Sequence, residues 1–342
     1  TSFRGPYESG IMKMMAIGLG KQYGAEKCHE EGFQNMAKNI VLFGKTILER
    51  LNIICASAVI ENAYEETSKI VVLAPDEIEN KEPLYLKEAF RNLPQIPVDF
   101  CDVLIVDKIG KNYSGDGMDP NITGTFCTPY ASGGIKAQRV VVLDLSEETH
   151  GNAMGVGMAS VTTQRLVEKM DLSAMYPNAI TASVLLGVRV PMIMKNDKQA
   201  IQVCIKSCTG IDKKFPRVVR ISNTLEMEYL WMSEAYYEEM RGKKEIQILN
   251  KPCEMEFDEN SIESAAFEPV TPFFEYAGNA NIWKYCSRNL KYDKLAEIVT
   301  EYIENYNPEE DHVTVKMRDA LSEYGEVGKG LISEYDSFED TY

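Results

Sequence analysis

The chain has 342 residues, 44% hydrophobic and 26% charged, with a formal net charge of −16. That acidic balance excludes a protein that grips nucleic-acid phosphates through clustered Lys and Arg, and no apolar run approaches the roughly 18 residues of a membrane span. Its eight scattered cysteines include no C-x-x-C pair, which excludes a zinc-ribbon motif and a disulfide framework and points to reduced thiols in a cytoplasm.

Near the N-terminus, "ESGIMKMMAIGLGKQYGAEKCHEEG" (8–32) places Lys13 inside an apolar run and His29, one of three histidines, beyond a glycine-rich bend. As one continuous helix the two residues would stand about 24 Å apart on nearly opposite sides. Gly18, Gly20 and Gly24 break that helix, because glycine is costly inside helices and favoured where the chain turns. The bend is therefore expected to bring Lys13 and His29 together. A lysine among Ile11, Met12, Met14, Met15 and Ile17 has its pKa pushed down and gains nucleophilicity. The bland alternative is a snorkelling core lysine. A neutral imidazole at His29 is a ligand type for nickel, zinc, copper or iron; its bland alternative is a histidine at a helix start.

Downstream, "EGFQNMAKNIVLFGKTILERL" reads as an amphipathic helix, "IICASAVI" and "KIVVLAP" as strands, "EPLYLKEAFRNL" as a helix and "CDVLIVD" as a third strand ending at Asp107. Strand and helix in alternation predict a parallel sheet with crossover helices. "KIGKNYSGDGMDPNITGTFCTPYASGG" (108–134) is rich in Gly, Asn and Asp and reads as a linker lining the site, with Asp116, Asp119 and Asn121 available for ribose or substrate hydroxyls. Then come strand "RVVVLDL", helices "MASVTTQRLVEKM" and "LSAMYPNAITASVLL", strand "VRVPMIM", helix "DKQAIQVCIKSC", strand "PRVVRIS" and "MEYLWMSEAYYEEMR" as strand then helix. Cys204 and Cys208, one helical turn apart, read as small buried apolar residues.

The fold expected is α/β: two Rossmann-like domains with mostly parallel sheets and a cleft between them. The division is 1–110 for cofactor binding, 111–134 as linker, 135–255 as second domain and 256–342 as a partly helical extension containing "DKLAEIVTEYIENY". Among cations, Arg4, Lys21, Lys111 and Lys136 are candidates for a substrate carboxylate, arginine with two bonds. His150, in the turn "SEETHGN", is a candidate base, and His312, in an acidic segment, reads as surface.

"PYESGIMKMMAIGLGK" with "GAEKCHEEGF" resembles the core motif of the nickel-dependent lactate racemase family. The resemblance continues through "LIVDKIGKNYSGDGMDPNITG", "VVLDLSEETHGNAMGVGMASVTTQRLVEKMD" and "YPNAITASVLLGVRVPMIMKNDKQAI", over roughly residues 1–250. It implies a nickel-pincer nucleotide, a pyridinium mononucleotide held by a thioamide at Lys13 with Met14 beside it. It implies His29 as the protein's ligand to Ni(II); the spacing of 16 from Lys13 to His29 matches the family motif. The implied activity is racemisation or epimerisation of a small 2-hydroxy acid by hydride transfer, with one histidine base serving each face. Those bases are expected just before "TSFRG" and further upstream, so the chain reads as lacking an N-terminal portion and as inactive alone; His150 matches neither base. Other readings are a dehydratase-like chemistry or a small-molecule binding protein that keeps the fold without the cofactor. No nucleic-acid or membrane partner is expected, and a homo-oligomer is left open.

Overall fold

The computed structural model describes residues 2–64, 66–244 and 246–253, with Met255 and Phe257. The helix expected in "DKLAEIVTEYIENY", His312 and all of the C-terminal extension except Phe257 lie outside the described residues. Two compact units emerge, one holding Thr1–Leu93 with Thr181–Ser183, the other Pro94–Ile180 and the described residues from Val184 onward.

In the first unit, α1 (Ile11–Lys13) runs directly into a π-helical turn, Met14–Leu19. Helix α2 (Lys21–Glu30) follows a break at Lys21, whose φ is 52°. Helix α3 (Met36–Arg50) buries Met36, Ile40 and Gly44. Gly44 packs against Met12: a Cβ there would sit 2.7 Å from the tip of the Met12 side chain, which would have to shift. Strands β1 (Ala56–Glu61) and β2 (Thr67–Leu73) form an antiparallel hairpin. The expected parallel pairing fails here because five residues, 62–66, join the strands; a parallel pair needs a crossover of a dozen residues or more.

Helix α4 (Pro75–Asn92) starts earlier than its apolar period predicts, with Pro75 in its first turn, where a missing N–H costs nothing. Pro83 lies inside it and has no N–H for the carbonyl one turn back. That carbonyl, on Glu79, accepts instead from the Tyr7 hydroxyl at 2.7 Å.

The second unit is built on a six-stranded sheet ordered β6-β5-β4-β3-β7-β8. Its strands are β3 (Phe100–Ile109), β4 (Lys136–Leu145), β5 (Val161–Thr163), β6 (Met192–Met194), β7 (Val218–Ile221) and β8 (Leu230–Met232). All neighbours are parallel except β7 and β8. Residues 101–106 of β3 are buried on both faces, as a central parallel strand requires. Leu104 and Val106 pack with Leu166, Met175 and Tyr236; Val103 and Ile105 pack with Ala200, Ile201 and Cys204. The α/β class and the mostly parallel sheet are thus present, the sheet lying wholly in this unit.

Three expectations change. Strand β3 pairs with β4 and β7, so the division falls after Leu93 rather than at residue 110. The stretch 111–134 is not an inter-domain linker: Met118 and Ile122 are buried in the second unit's core, and Pro120–Thr123 forms a short helix, α5. "MASVTTQRLVEKM" is not one helix. Its β-branched Val161–Thr163 form β5, and helix α6 (Gln164–Lys169) begins only where the Thr163 hydroxyl accepts from the Leu166 N–H. Helices α7 (Leu172–Thr181), α8 (Asp197–Ser207) and α9 (Tyr237–Arg241) fall in stretches read as helical.

Glycine fixes the 110–124 loop against the segment after β4. Gly155 has φ 96°, and a Cβ there would lie 1.7 Å from the Asp116 carbonyl oxygen. Gly155→Ala should lower stability by about 3 kcal/mol, since both backbone conformation and contact are violated. Gly115→Ala, with nothing within 4 Å of the new methyl, should be close to neutral. Urea denaturation midpoints of the two variants check this.

Candidate functional site

The glycine break after the π-turn lets α2 fold back. A Cβ on Gly20 would sit 2.8 Å from Gly24 Cα and 2.6 Å from the Ala16 carbonyl oxygen, so only glycine permits that crossing. The result places the Lys13 ammonium close enough to His29 for its charge to act on the imidazole. Phe3 and Phe33 complete the cluster. Lys13 Nζ lies 6.0 Å from the Phe3 ring centroid, Phe3 lies 6.3 Å from Phe33, and the His29 ring meets Phe33 edge-on at 5.1 Å.

His29 Nδ1 lies 2.5 Å from the Ala25 carbonyl oxygen. A carbonyl only accepts, so Nδ1 carries the proton and Nε2 keeps a lone pair. Burial is the main cause holding the imidazole pKa below its usual value; the Ala25 bond opposes this and the Lys13 cation reinforces it. Such an imidazole is neutral near pH 7 and oriented by a backbone carbonyl, the condition of a metal-binding histidine. Cys28 beside it is fully buried, its thiol pushed up to about 11 by desolvation, and it offers no thiolate.

Met12 and Met15 are buried, but Met14 is 63% exposed, so the apolar run around Lys13 is only partly a core. Arg4 is paired with Glu8 at 2.8 Å and lies over the Phe90 ring, so its guanidinium is already engaged. Sequence reasoning missed Glu82. This carboxylate is 3% exposed and accepts from the Met12 N–H at 3.2 and 3.1 Å, holding the start of the helix that carries Lys13. Gly10, with φ 119°, leaves room for it: a Cβ there would meet Glu82 Oε1 at 2.3 Å. The one local signal was a glycine directly before the apolar run. An open groove of about 540 Å³ runs between that helix and residues 53 and 55–59; neither Lys13 nor His29 lines it.

In the second unit the sheet order reverses between β3 and β7, the place where open α/β sheets bind ligands beyond their carboxyl ends. The 110–124 loop covers it. Lys108 N–H donates to Ser222 O, and Asp119 N–H to Thr224 Oγ1, both at 2.9 Å. Asp119 and Asn121 are tied to each other, the carboxylate accepting from Asn121 N–H at 2.8 Å and from its side-chain amide at 3.0 Å. They make a helix cap before they make a ligand site. Lys111 is half-buried and its ammonium pKa is lowered by burial, against the pull of Asp116. Its N–H donates to Thr149 Oγ1 at 3.0 Å, which fixes the turn of His150 alongside. His150 is exposed with φ 50°. Lys136 opens β4 beside Phe100, at the amino end of the sheet and away from this crevice. Asp107 at the end of β3 is paired with Arg220 at 2.7 Å.

Among the described residues no group of three His, Cys, Asp or Glu side chains is placed to hold a metal ion. A metal here would bring most of its ligands with it and take one from the chain, and the Nε2 of His29 fits that role. The seven described cysteines are all free thiols, and no described helix is long and apolar enough to cross a membrane. No protein family, curated protein or solved structure compared with this chain matches it.

Proposed function

We propose that this chain belongs to an isomerase, a racemase or epimerase of a 2-hydroxy acid, working through a nickel-pincer nucleotide carried on Lys13. The observation that supports this reading most is the His29 geometry: Nδ1–H tied to Ala25 O and Nε2 left as a donor, with the Lys13 amine within electrostatic reach. The motif resemblance over "SGIMKMMAIGLGK" and "EKCHEEG" points to the same pair. When bound, the group takes up and returns the hydride of the substrate's 2-carbon.

The chain's own residues have separate tasks in this reading. Lys13 Nζ is the covalent anchor, with Met14 beside it. His29 Nε2 binds the metal, and burial keeps it from protonating in competition. Phe3 and Phe33 exclude water from the pair. Besides His29 the chain has His150 and His312, and the reading assigns neither as the base that each face of a planar keto acid needs. In this reading the cysteines stay reduced and the protein works in the cytoplasm.

The groove lying apart from Lys13 favours a second reading, a binding protein without the cofactor. The deciding experiment is intact mass and nickel content of the chain coexpressed with cofactor-making enzymes. A mass adduct mapping to Lys13 with about one nickel per chain supports the enzyme; unmodified Lys13 without nickel discards it in favour of the binding protein.

A further inference from the structure

Helix α1 has three residues, too few to hold themselves in a helical turn, yet it carries Lys13. Its first N–H groups have no acceptor within the helix. They find one on another helix. Glu82 of α4, 3% exposed, accepts from the Met12 N–H with both oxygens, at 3.2 and 3.1 Å, and from the Ile11 N–H. Gly10 leaves its side-chain space to that carboxylate. The Gly10 carbonyl closes the turn by accepting from the Met14 N–H at 3.0 Å. One turn earlier on α4, the Glu79 carbonyl accepts from the Tyr7 hydroxyl. The segment leading into Lys13 is thus held at two points, both on α4.

A buried carboxylate is a costly fastener, and an apolar side chain would fill the space beside Met12 as well. What the carboxylate adds is dependence on its own charge. Ionised, it accepts on both oxygens. Protonated, one oxygen becomes a donor and turns a hydrogen toward N–H groups that cannot accept it, so part of the grip is given up.

We infer that Glu82 is the positioning residue of Lys13: its ionised carboxylate fixes the first turn of α1 and so aims the Lys13 amine, and protonation loosens that turn. The importance of that aim rests on the proposed function, in which Lys13 is the anchor; the grip itself does not. Burial pushes the Glu82 carboxyl up to about 7, so the change falls near neutral pH. The other ionisable groups around Glu82 are Lys13 on α1, Tyr7 before it, Glu79 on α4 and Lys45 on α3, the last two paired at 2.6 Å. Strands β1 and β2, also packed on α4, bring Glu61 and Lys69, and Lys69 is paired with Glu88 at 2.6 Å.

The loosened turn leaves Glu82 buried but without its N–H partners, where an ionised carboxyl is worse off than in the closed turn. Ionisation therefore favours the closed turn, although it lowers the stability of the unit as a whole. Amide hydrogen exchange separates the two effects. Corrected for the intrinsic rate, protection of Ile11, Met12 and Met14 should rise about tenfold from pH 5 to pH 8, while that of α3 falls with the unit's stability. In Glu82→Gln, whose amide also turns a donor toward the N–H groups, the three amides should be weakly protected at every pH. The second readout is acylation of Lys13 by an amine-reactive ester, mapped by mass and normalised to the exposed Lys38. At pH 8 Lys13 of Glu82→Gln should label several-fold faster than that of the wild type, because the amine is no longer held beside Phe3. At pH 5 the two proteins should agree. Urea denaturation shows that the variant folds, and the wild-type exchange profile tests the grip without any variant. Neither readout needs nickel or cofactor, so an unmodified Lys13 in coexpression would discard the enzyme without touching this inference. Protection of residues 11–14 that falls with rising pH overturns it, as does labelling of Lys13 that Glu82→Gln leaves unchanged at pH 8 or alters equally at pH 5.

Discussion

Lys13→Arg should abolish both the covalent adduct and bound nickel, whereas His29→Ala should keep the adduct and lose most of the metal. The difference follows from the separate tasks that the proposed function gives the two side chains. Arginine keeps the positive charge and much of the stem that packs near Phe3, but its guanidinium is not a nucleophile at any ordinary pH. The anchor disappears while the fold stays. Removing the imidazole leaves the Lys13 amine untouched and takes away the one oriented Nε2 donor. Loss of an oriented ligand should weaken nickel retention by well over the 10–100-fold typical of losing a mere supporting group. Intact mass and metal analysis on the same preparations read the two effects independently. Loss of the adduct in His29→Ala would mean that attachment depends on the metal and that the separation of roles is wrong.

The second large effect lies with Glu82. Burial pushes its carboxyl up to about 7 from the usual 4.5, although the Met12 and Ile11 N–H groups pull the other way. A carboxyl whose folded pKa exceeds its unfolded value binds protons more tightly in the native state. Its stabilising contribution is complete below about pH 4.5 and is lost as pH rises through about 7. The shift corresponds to about 3 kcal/mol. Between pH 5 and pH 8 the N-terminal unit should therefore lose about that much stability, read as a falling urea midpoint. Glu82→Gln keeps an acceptor for the Met12 N–H and removes the titration, so its midpoint should fall far less. The other ionisable groups acting on this region are Tyr7, Glu79 and the Lys45 paired with Glu79, and they are the same in both proteins. His29 titrates in the opposite sense, because its folded pKa is depressed, and it remains in both proteins. The difference between them isolates Glu82; equal slopes would refute the assignment.

The sequence made some of this visible and hid the rest for physical reasons. Helix α3 and strand β3 were legible because burial imposes a period on them, 3.6 in one case and an unbroken apolar run in the other. The bend between Lys13 and His29 was legible because three glycines in an apolar run have no other cheap explanation. The hairpin was misread because β-propensity is the same for parallel and antiparallel strands; only the short connection distinguishes them. The 110–124 loop passed for a linker because glycine serves flexible segments and tightly packed turns alike. Its Gly117 and Gly124 lie against backbone carbonyls at 2.0 and 1.9 Å from where a Cβ would stand, a constraint that composition does not carry. Glu82 was hidden by distance, since its partner Met12 is 70 positions away.

The proline within α4 has a consequence for how this sequence can drift. Pro83 removes a donor, and the Tyr7 hydroxyl supplies one to the same Glu79 carbonyl. Each residue is tolerable only in the company of the other. Losing the tyrosine first strands a carbonyl; losing the proline first leaves the hydroxyl competing with a restored helix bond. Positions 7 and 83, far apart along the chain, should therefore behave as a single inherited character, changing together in descendants or not at all.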